Sequence, residues 1–346
     1  MFLRSIMAAS IGVGAVLSAS TQTTQAAEKW TCNIFVGPKH YVNKALKPWR
    51  KAVQKSTNGE LKINYLPTSA APPPKQIDGI AAGTFDCAFI FHAFTAKRAV
   101  GPGFGILPFL SGAKNTVQSS VAYHRTWAKH FEGKGEFKDD GVKILGMYQF
   151  PGVHFTTAKD KPINSMADLK TMKMWALAGT SSKTLKAAGI NHVSGPAARV
   201  AEFTQTKVVQ GIAGATRGGV VNFIGLQFPK SYTYTSRSLM MPSFAWMVSL
   251  KKWDALSAEN KKKVLAESGE KLARAVGVAS DNFERVAKGK MDKVGIKFVK
   301  ASAKFEADLK KVASPQVNAW IKRAGSVGVD GNQVLKDFDD AVKSIN

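Results

Sequence analysis

Six histidines and two cysteines have the widest chemical repertoire in this chain, and their spacing assigns them none of the usual tasks. His40, His92, His124, His130, His154 and His192 fall in no metal-ligand pattern such as H-E-x-x-H, and Cys32 with Cys87 cannot complete a zinc site. The glycine-rich run "GPGFGILPFL" at 101–110 lacks both the G-x-G-x-x-G spacing and the strand-to-helix context of a dinucleotide loop. No P-loop and no G-x-S-x-G elbow occurs. Acidic residues are few, and Asp86 and Asp168 do not form a paired acid and base. The chain therefore reads as a binder and not as an enzyme, with no metal and no cofactor expected.

One stretch points to where binding would occur. "SMADLKTMKMWALAGTSS" (165–182) alternates charged and apolar residues as far as Met174, then places Trp175 before a run of small residues. The pattern predicts a strand ending at Trp175 and a helix beginning at Thr180–Ser182. Hydroxyls at a helix start cap its free amides, and the same amides with the helix dipole attract anions. Plain capping is the simpler of these two readings.

The elements around that stretch alternate. "KWTCNIFVG" (29–37) reads as a first strand, followed by a helix with Leu46, Trp49 and Val53 on one face and Gly59 in the capping position. "ELKINYLP" is a half-buried strand, "PPPKQIDGIAAG" a proline-led short helix, and "TFDCAFIFHAF" a strand covered on both faces. Strand, helix, strand, helix, strand is the signature of a parallel α/β sheet. A second round follows: strand material in "GVKILGMYQFPGVHFTTA", a strand in "LKTMKMWAL", and a helix in "SSKTLKAAGI" ending at Gly189. "PAARVAEFTQTKVVQG" reads as a further helix running to Gly211. "LSAENKKKVLAESGEKLARAV" reads as one long amphipathic helix with Leu265, Leu272 and Val276 on its inner side. Two α/β halves with crossings near 150 and 240 imply two lobes and a cleft, and ligands of open sheets sit at the carboxyl ends of the strands.

The 346 residues suit two domains, and 45% hydrophobic content supplies their cores. Residues 1–26 have the layout of a secretory signal: Arg4, an apolar run from Ile6 to Leu17, and a small-residue exit at Thr24-Gln25-Ala26. The run is short for a membrane span, so a soluble, exported mature protein beginning near Ala27 is expected. Cys32 and Cys87 are either one bridge or two buried thiols. The net charge of +25 is spread along helices, which fits solvated faces better than a nucleic-acid groove.

Several segments together resemble a known family: "STNGELKINYLP", "IDGIAAGTFDCAF", "LPFL", "FTTAKDKPINSMADLKTMKM", "EFTQTKVVQG" and "WMVSLKKWDALSAENKKKVL". The chain is similar to the extracytoplasmic solute-binding subunit of tripartite ATP-independent periplasmic (TRAP) transporters, of the dicarboxylate- and sialate-binding type. The resemblance implies the two-lobed α/β fold of periplasmic binding proteins, with hinge strands and a long helix shared by both lobes. It implies lobe I from 27–150 and 241–280, lobe II from 151–240 and 281–346, and closure around one small organic acid. Periplasmic delivery to membrane permease subunits follows from it.

The ligand residues that the resemblance implies are altered here. The strand after "ADLKTMK" ends in a carboxylate-clamping arginine in the family pattern, and Trp175 stands there. Val153 and His154 stand where a second arginine is common. The D-G-x-E-N motif reads Gln210-Gly211-Ile212-Ala213-Gly214, so Gly214 replaces its asparagine, and Phe91 replaces a polar residue. Indole offers one N–H and a large π face where guanidinium offers a charged fork. The expected ligand is therefore an organic acid more apolar or aromatic than a C4-dicarboxylate. Phe89, Phe91, Phe150, Trp175 and Trp246 would form aromatic walls, and His154 or Arg217 the polar anchors, although Arg217 in "GATRGGVV" reads equally as exposed. On this reading Trp175→Ala weakens an aromatic acid by about 1–3 kcal/mol and leaves the fold intact. A periplasmic sensor for a membrane receptor and an exported enzyme on the same scaffold are the alternatives.

Overall fold

A computed structural model of the chain describes residues 27–345; the signal expected at 1–26 lies outside them. Eleven strands occur among the described residues: β1 (Glu28–Asn33), β2 (Leu61–Tyr65), β3 (Cys87–Phe91), β4 (Val142–Gln149), β5 (His154–Thr157), β6 (Met174–Leu177), β7 (His192–Gly195), β8 (Gly211–Ala215), β9 (Ser231–Tyr234), β10 (Ser243–Ser249) and β11 (Lys297–Lys300). They form two sheets, ordered β2-β1-β3-β10-β4 and β11-β9-β5-β8-β6-β7, each the centre of one lobe.

The apolar patterns explain the burial. All five residues of β3 are buried, as a continuous apolar run requires when helices cover both faces. In the helix Asn43–Ser56, Leu46, Trp49 and Val53 face the first sheet, and Gly59 turns the chain at φ +80. Each sheet is parallel except for one strand. β10 runs antiparallel to β3 and β4, and β5 runs antiparallel to β8 and β9. Each follows the preceding strand across an extended crossing with no helix between, β4 to β5 and β9 to β10, so it enters its sheet from the opposite end. The crossings at 150–153 and 235–242 are joined to each other: the Phe150 amide donates to the Pro242 carbonyl at 2.7 Å, and the Val153 amide to the Met240 carbonyl at 2.9 Å.

Three expectations are corrected. The helix over 256–276 is two helices, Ala258–Glu267 and Gly269–Lys293. Between them the Ser268 hydroxyl donates to the Val264 carbonyl and accepts the Trp49 indole N–H at 3.2 Å, while Gly269 takes φ +56. The break leaves Leu265 exposed, while Leu272 and Val276 stay buried. The helix expected to reach Gly211 spans only Val200–Gln205, because Lys207 turns at φ +56 and Gly211 opens β8. At the C-terminus, Gly331–Ser344 packs on Thr116–His130 in the first lobe, with Phe338 against Phe104, and so does not extend the second lobe. The preceding helix, Ala303–Ser326, touches both lobes: Gln316 donates to Thr184 at 2.8 Å and the Trp320 indole to the Val100 carbonyl at 2.9 Å.

Cys32 and Cys87 face each other in register on β1 and β3, with Cα atoms 4.4 Å apart, and are bonded. The bridge joins residues 55 apart in sequence, so it restrains the unfolded chain substantially. Reduction is expected to lower the unfolding free energy by about 2–4 kcal/mol. Urea curves with and without reductant measure this, and superimposable curves would refute it.

Candidate functional site

The carboxyl ends of four strands meet between the sheets. Beyond β1 the chain delivers Phe35, His40 and Tyr41; β3 ends in Phe91; β6 ends in Leu177; and β8 carries Gly214 just ahead of Thr216. Together they enclose a cavity of about 110 Å³, with Phe150 of the crossing segment and Phe244 of β10 in its wall. An apolar cavity of roughly 150 Å³ holds a benzene molecule, so this space is about one ring in size. Its rings pack mainly by offset stacking: Phe244 lies 4.6 Å from Phe89, 4.9 Å from Phe91 and 4.2 Å from Phe150. His40 stacks on Tyr41 at 4.2 Å and approaches Phe223 of the second lobe at 6.0 Å.

Gly214 sets the second lobe's contribution. Phe155 pairs with Ala213 and His154 with Ala215, which leaves Gly214 as the extra residue of a bulge at φ +126. A β-carbon there would lie 2.5 Å from that of Leu177, so the close approach of β8 to β6 requires glycine.

The wall includes no charged side chain among the described residues, and three polar ones: His40, Tyr41 and Thr216. His40 Nδ1 accepts the Val42 amide at 3.2 Å, which places the ring hydrogen on Nε2. Burial pushes the His40 pKa down to about 3, so the ring is neutral at physiological pH. Burial, and then the Glu284 carboxylate, raise the Tyr41 pKa well above its ordinary value. Thr216 Oγ1 accepts the Gly219 amide at 2.7 Å.

Of the residues expected from sequence, Phe91, Phe150 and Gly214 come together in this cavity, with Phe89 in the same ring cluster. The other four lie elsewhere. Trp175 is only 1% exposed and is absent from the cavity wall. Strand β6 does not end there: its pairing with β7 continues through Leu177, which takes the position at the mouth. Trp246 is a core residue, edge-on to Trp49 at 5.6 Å and to Tyr65 at 6.0 Å. His154 and Arg217 line a different, polar cavity of about 350 Å³ bordered by Lys114 and Lys288. There His154 Nδ1 accepts the Thr235 amide at 3.2 Å, and burial, with a smaller effect of Arg217, lowers its pKa to about 3. Arg217 is half-exposed, and its Nε donates to Glu284 at 2.9 Å, so the carboxylate it meets belongs to the protein.

The expected hydroxyl caps do not form at the helix Thr180–Ala187. Its N-cap is Gly179 at φ +96, while Thr180 donates to the Ile106 carbonyl and Ser182 lies 3.0 Å from His192. His40, Tyr41, Phe223 and Phe244 lie outside the set expected from sequence. For His40 and Tyr41 the available signal is position, a polar and aromatic pair a few residues past the end of β1. Phe223 follows the Arg217–Gly219 turn, and Phe244 opens β10.

Residues 32–323 match the family described as bacterial extracellular solute-binding protein, family 7. Over 316 residues, 91% of each chain, the sequence is 31% identical to the outer membrane transporter protein TsaT of Comamonas testosteroni. Among solved structures, it is similar to a TRAP periplasmic solute-binding protein of Bordetella bronchiseptica with bound (R)- and (S)-mandelate. That likeness has a TM-score of 0.84 and 26% identity, and it covers 92% of this chain and 99% of that one. A marine metagenome TRAP solute-binding protein specific for aromatic acid ligands, in complex with 3-hydroxybenzoate, gives a TM-score of 0.80 and 25% identity over 92% of this chain and 99% of that one.

Proposed function

The chain belongs to family 7 of the bacterial extracellular solute-binding proteins, and from that premise we propose that its interlobe cavity captures an aromatic organic acid. The observation that carries the proposal is the wall itself, a ring-sized space framed by phenylalanines and without a charged side chain among the described residues. Succinate or a sialic acid would place several hydrogen-bonding groups against those rings, and each unsatisfied polar group opposes binding. A single aromatic ring matches the space and gains from stacking. The two solved relatives whose bound molecules are mandelate and 3-hydroxybenzoate support the same ligand class.

Phe91, Phe150 and Gly214 form the ligand-facing wall in this reading. Trp175, in the position the family resemblance gives to a clamp arginine, lies behind Leu177 and brings no cation to the site. Residues 1–26 act as the secretory signal, and the mature protein works in the periplasm, handing its ligand to the membrane subunits of a TRAP transporter.

Native mass spectrometry of freshly purified protein, followed by a thermal-shift screen, tests the ligand class. A ligand at a hundred times its Kd adds about 2.7 kcal/mol to folding stability. Benzoate and mandelate are expected to raise the melting temperature and succinate to leave it unchanged. A strong shift with succinate and none with the ring acids would overturn the proposal.

A further inference from the structure

We infer that His40 is the polar anchor of the bound ligand, donating its Nε2 hydrogen to an acceptor oxygen, so that the cavity takes both aromatic acids and their uncharged carbonyl counterparts. This inference rests on the aromatic reading of the cavity and deepens it.

The wall leaves few other anchors. Its polar side chains are His40, Tyr41 and Thr216. The Tyr41 ring is packed between His40 and Phe283, at 4.2 Å and 5.2 Å, and Thr216 is engaged as the cap that accepts the Gly219 amide. His40 is 7% exposed, its Nδ1 is occupied by the Val42 amide, and its Nε2 has no hydrogen-bond partner among the described residues. The ring lines the cavity, and with one nitrogen satisfied its Nε2 hydrogen is free for an acceptor there. The ring is also held in place: it stacks on Tyr41 and lies 5.6 Å from Phe150, another residue of the cavity wall.

Among the described residues, no charged side chain lines the cavity to reinforce this donor. Arg217, the guanidinium one residue beyond Thr216, is turned into the polar cavity and bonded to Glu284. The low pKa of His40 agrees with a neutral ring. A carboxylate entering such a site loses its hydration without meeting a counter-charge, which opposes the gain from its stronger hydrogen bond. An uncharged amide loses less hydration and accepts the same hydrogen. The two opposing effects bring acid and amide close in affinity, whereas a site with an arginine clamp would separate them widely.

Calorimetric titration at pH 7.5 with benzoate, benzamide and toluene tests this on the wild type, His40→Phe and His40→Gln. In the wild type, benzoate and benzamide are expected to bind within about tenfold of each other. His40→Phe keeps the ring and removes the donor, so it should weaken both by about 10-fold to 100-fold and leave toluene, which offers no acceptor, nearly unchanged. His40→Gln, whose amide donates, should recover part of the loss. A wild-type preference for benzoate over benzamide beyond about 100-fold would overturn the inference even if a variant failed to fold. So would unchanged benzoate affinity in folded His40→Phe. If none of the three rings binds the wild type, the aromatic reading fails and this inference with it. If the rings bind without regard to His40, only this inference fails.

Discussion

Trp175→Ala is expected to lower folding stability by about 3–5 kcal/mol, the range for deleting a large buried aromatic side chain. Trp175 is 1% exposed, and its strand neighbours are Val193 on β7 and Ile212 on β8. Strand β6 is paired along both edges, with β7 and β8, so its backbone cannot easily close over a void. The indole N–H has no hydrogen-bond partner among the described residues, so the loss is one of packing and not of polar contact. Trp175→Phe should therefore cost distinctly less, because it keeps a ring and abandons no bond. Ligand affinity should fall as a secondary effect, since Leu177 follows on the same face of β6 and would lose its support. Urea unfolding of the three proteins with unchanged m-values checks this. A Trp175→Ala variant within about 1 kcal/mol of wild type that loses affinity instead would restore Trp175 to the cleft as a stacking wall.

The same residue shows how far the sequence could be read. Alternating strand and helix patterns, glycines past helix ends and the crossings near 150 and 240 are local signals, and the two-lobed architecture follows from them. Site membership depends on strand register, which is not local. Val153 and Thr216 line the aromatic cavity, while His154 and Arg217, each one residue further along, line the polar one. Successive residues of an extended chain point to opposite faces, so a site can be located correctly in sequence and still be assigned the wrong neighbour. Trp175 differs in kind: it shares a face with Leu177 but stops two residues short of the mouth. The break at Ser268 was hidden for another reason. The amphipathic period runs through it unbroken, and the partner that holds the turn, Trp49, is 219 residues away.

Acidification should destabilise the protein well before its carboxylates titrate. His40 and His92 are both buried, and burial holds each pKa near 3 against an ordinary value of about 6.5. Between those values the unfolded chain binds protons that the folded chain refuses, so stability falls as pH falls through that window and is flat above it. Each contributes about 1.4 kcal/mol per pH unit, so these two should cost about 4 kcal/mol between pH 7 and pH 5. His154 and His124, which burial holds near 3 and 4, add to that loss in the same direction. His92 has little room to adapt. Its Nδ1 lies 3.0 Å from both Ser243 Oγ and Tyr123 Oη, and its buried Nε2 has no hydrogen-bond partner among the described residues to receive an added proton. Its chain neighbour Phe91 and the neighbour of Ser243, Phe244, are both cavity walls, so charging His92 strains the ligand site together with the core. Urea midpoints at pH 7.5, 6.5, 5.5 and 5.0 measure the slope, and His40→Phe should flatten it by about a quarter, since His92, His154 and His124 share it. A midpoint constant to pH 5 would mean that these buried rings, His40 among them, accept a proton in place. The cavity could then carry a positive charge, and a carboxylate would meet there the counter-charge that its wall otherwise lacks.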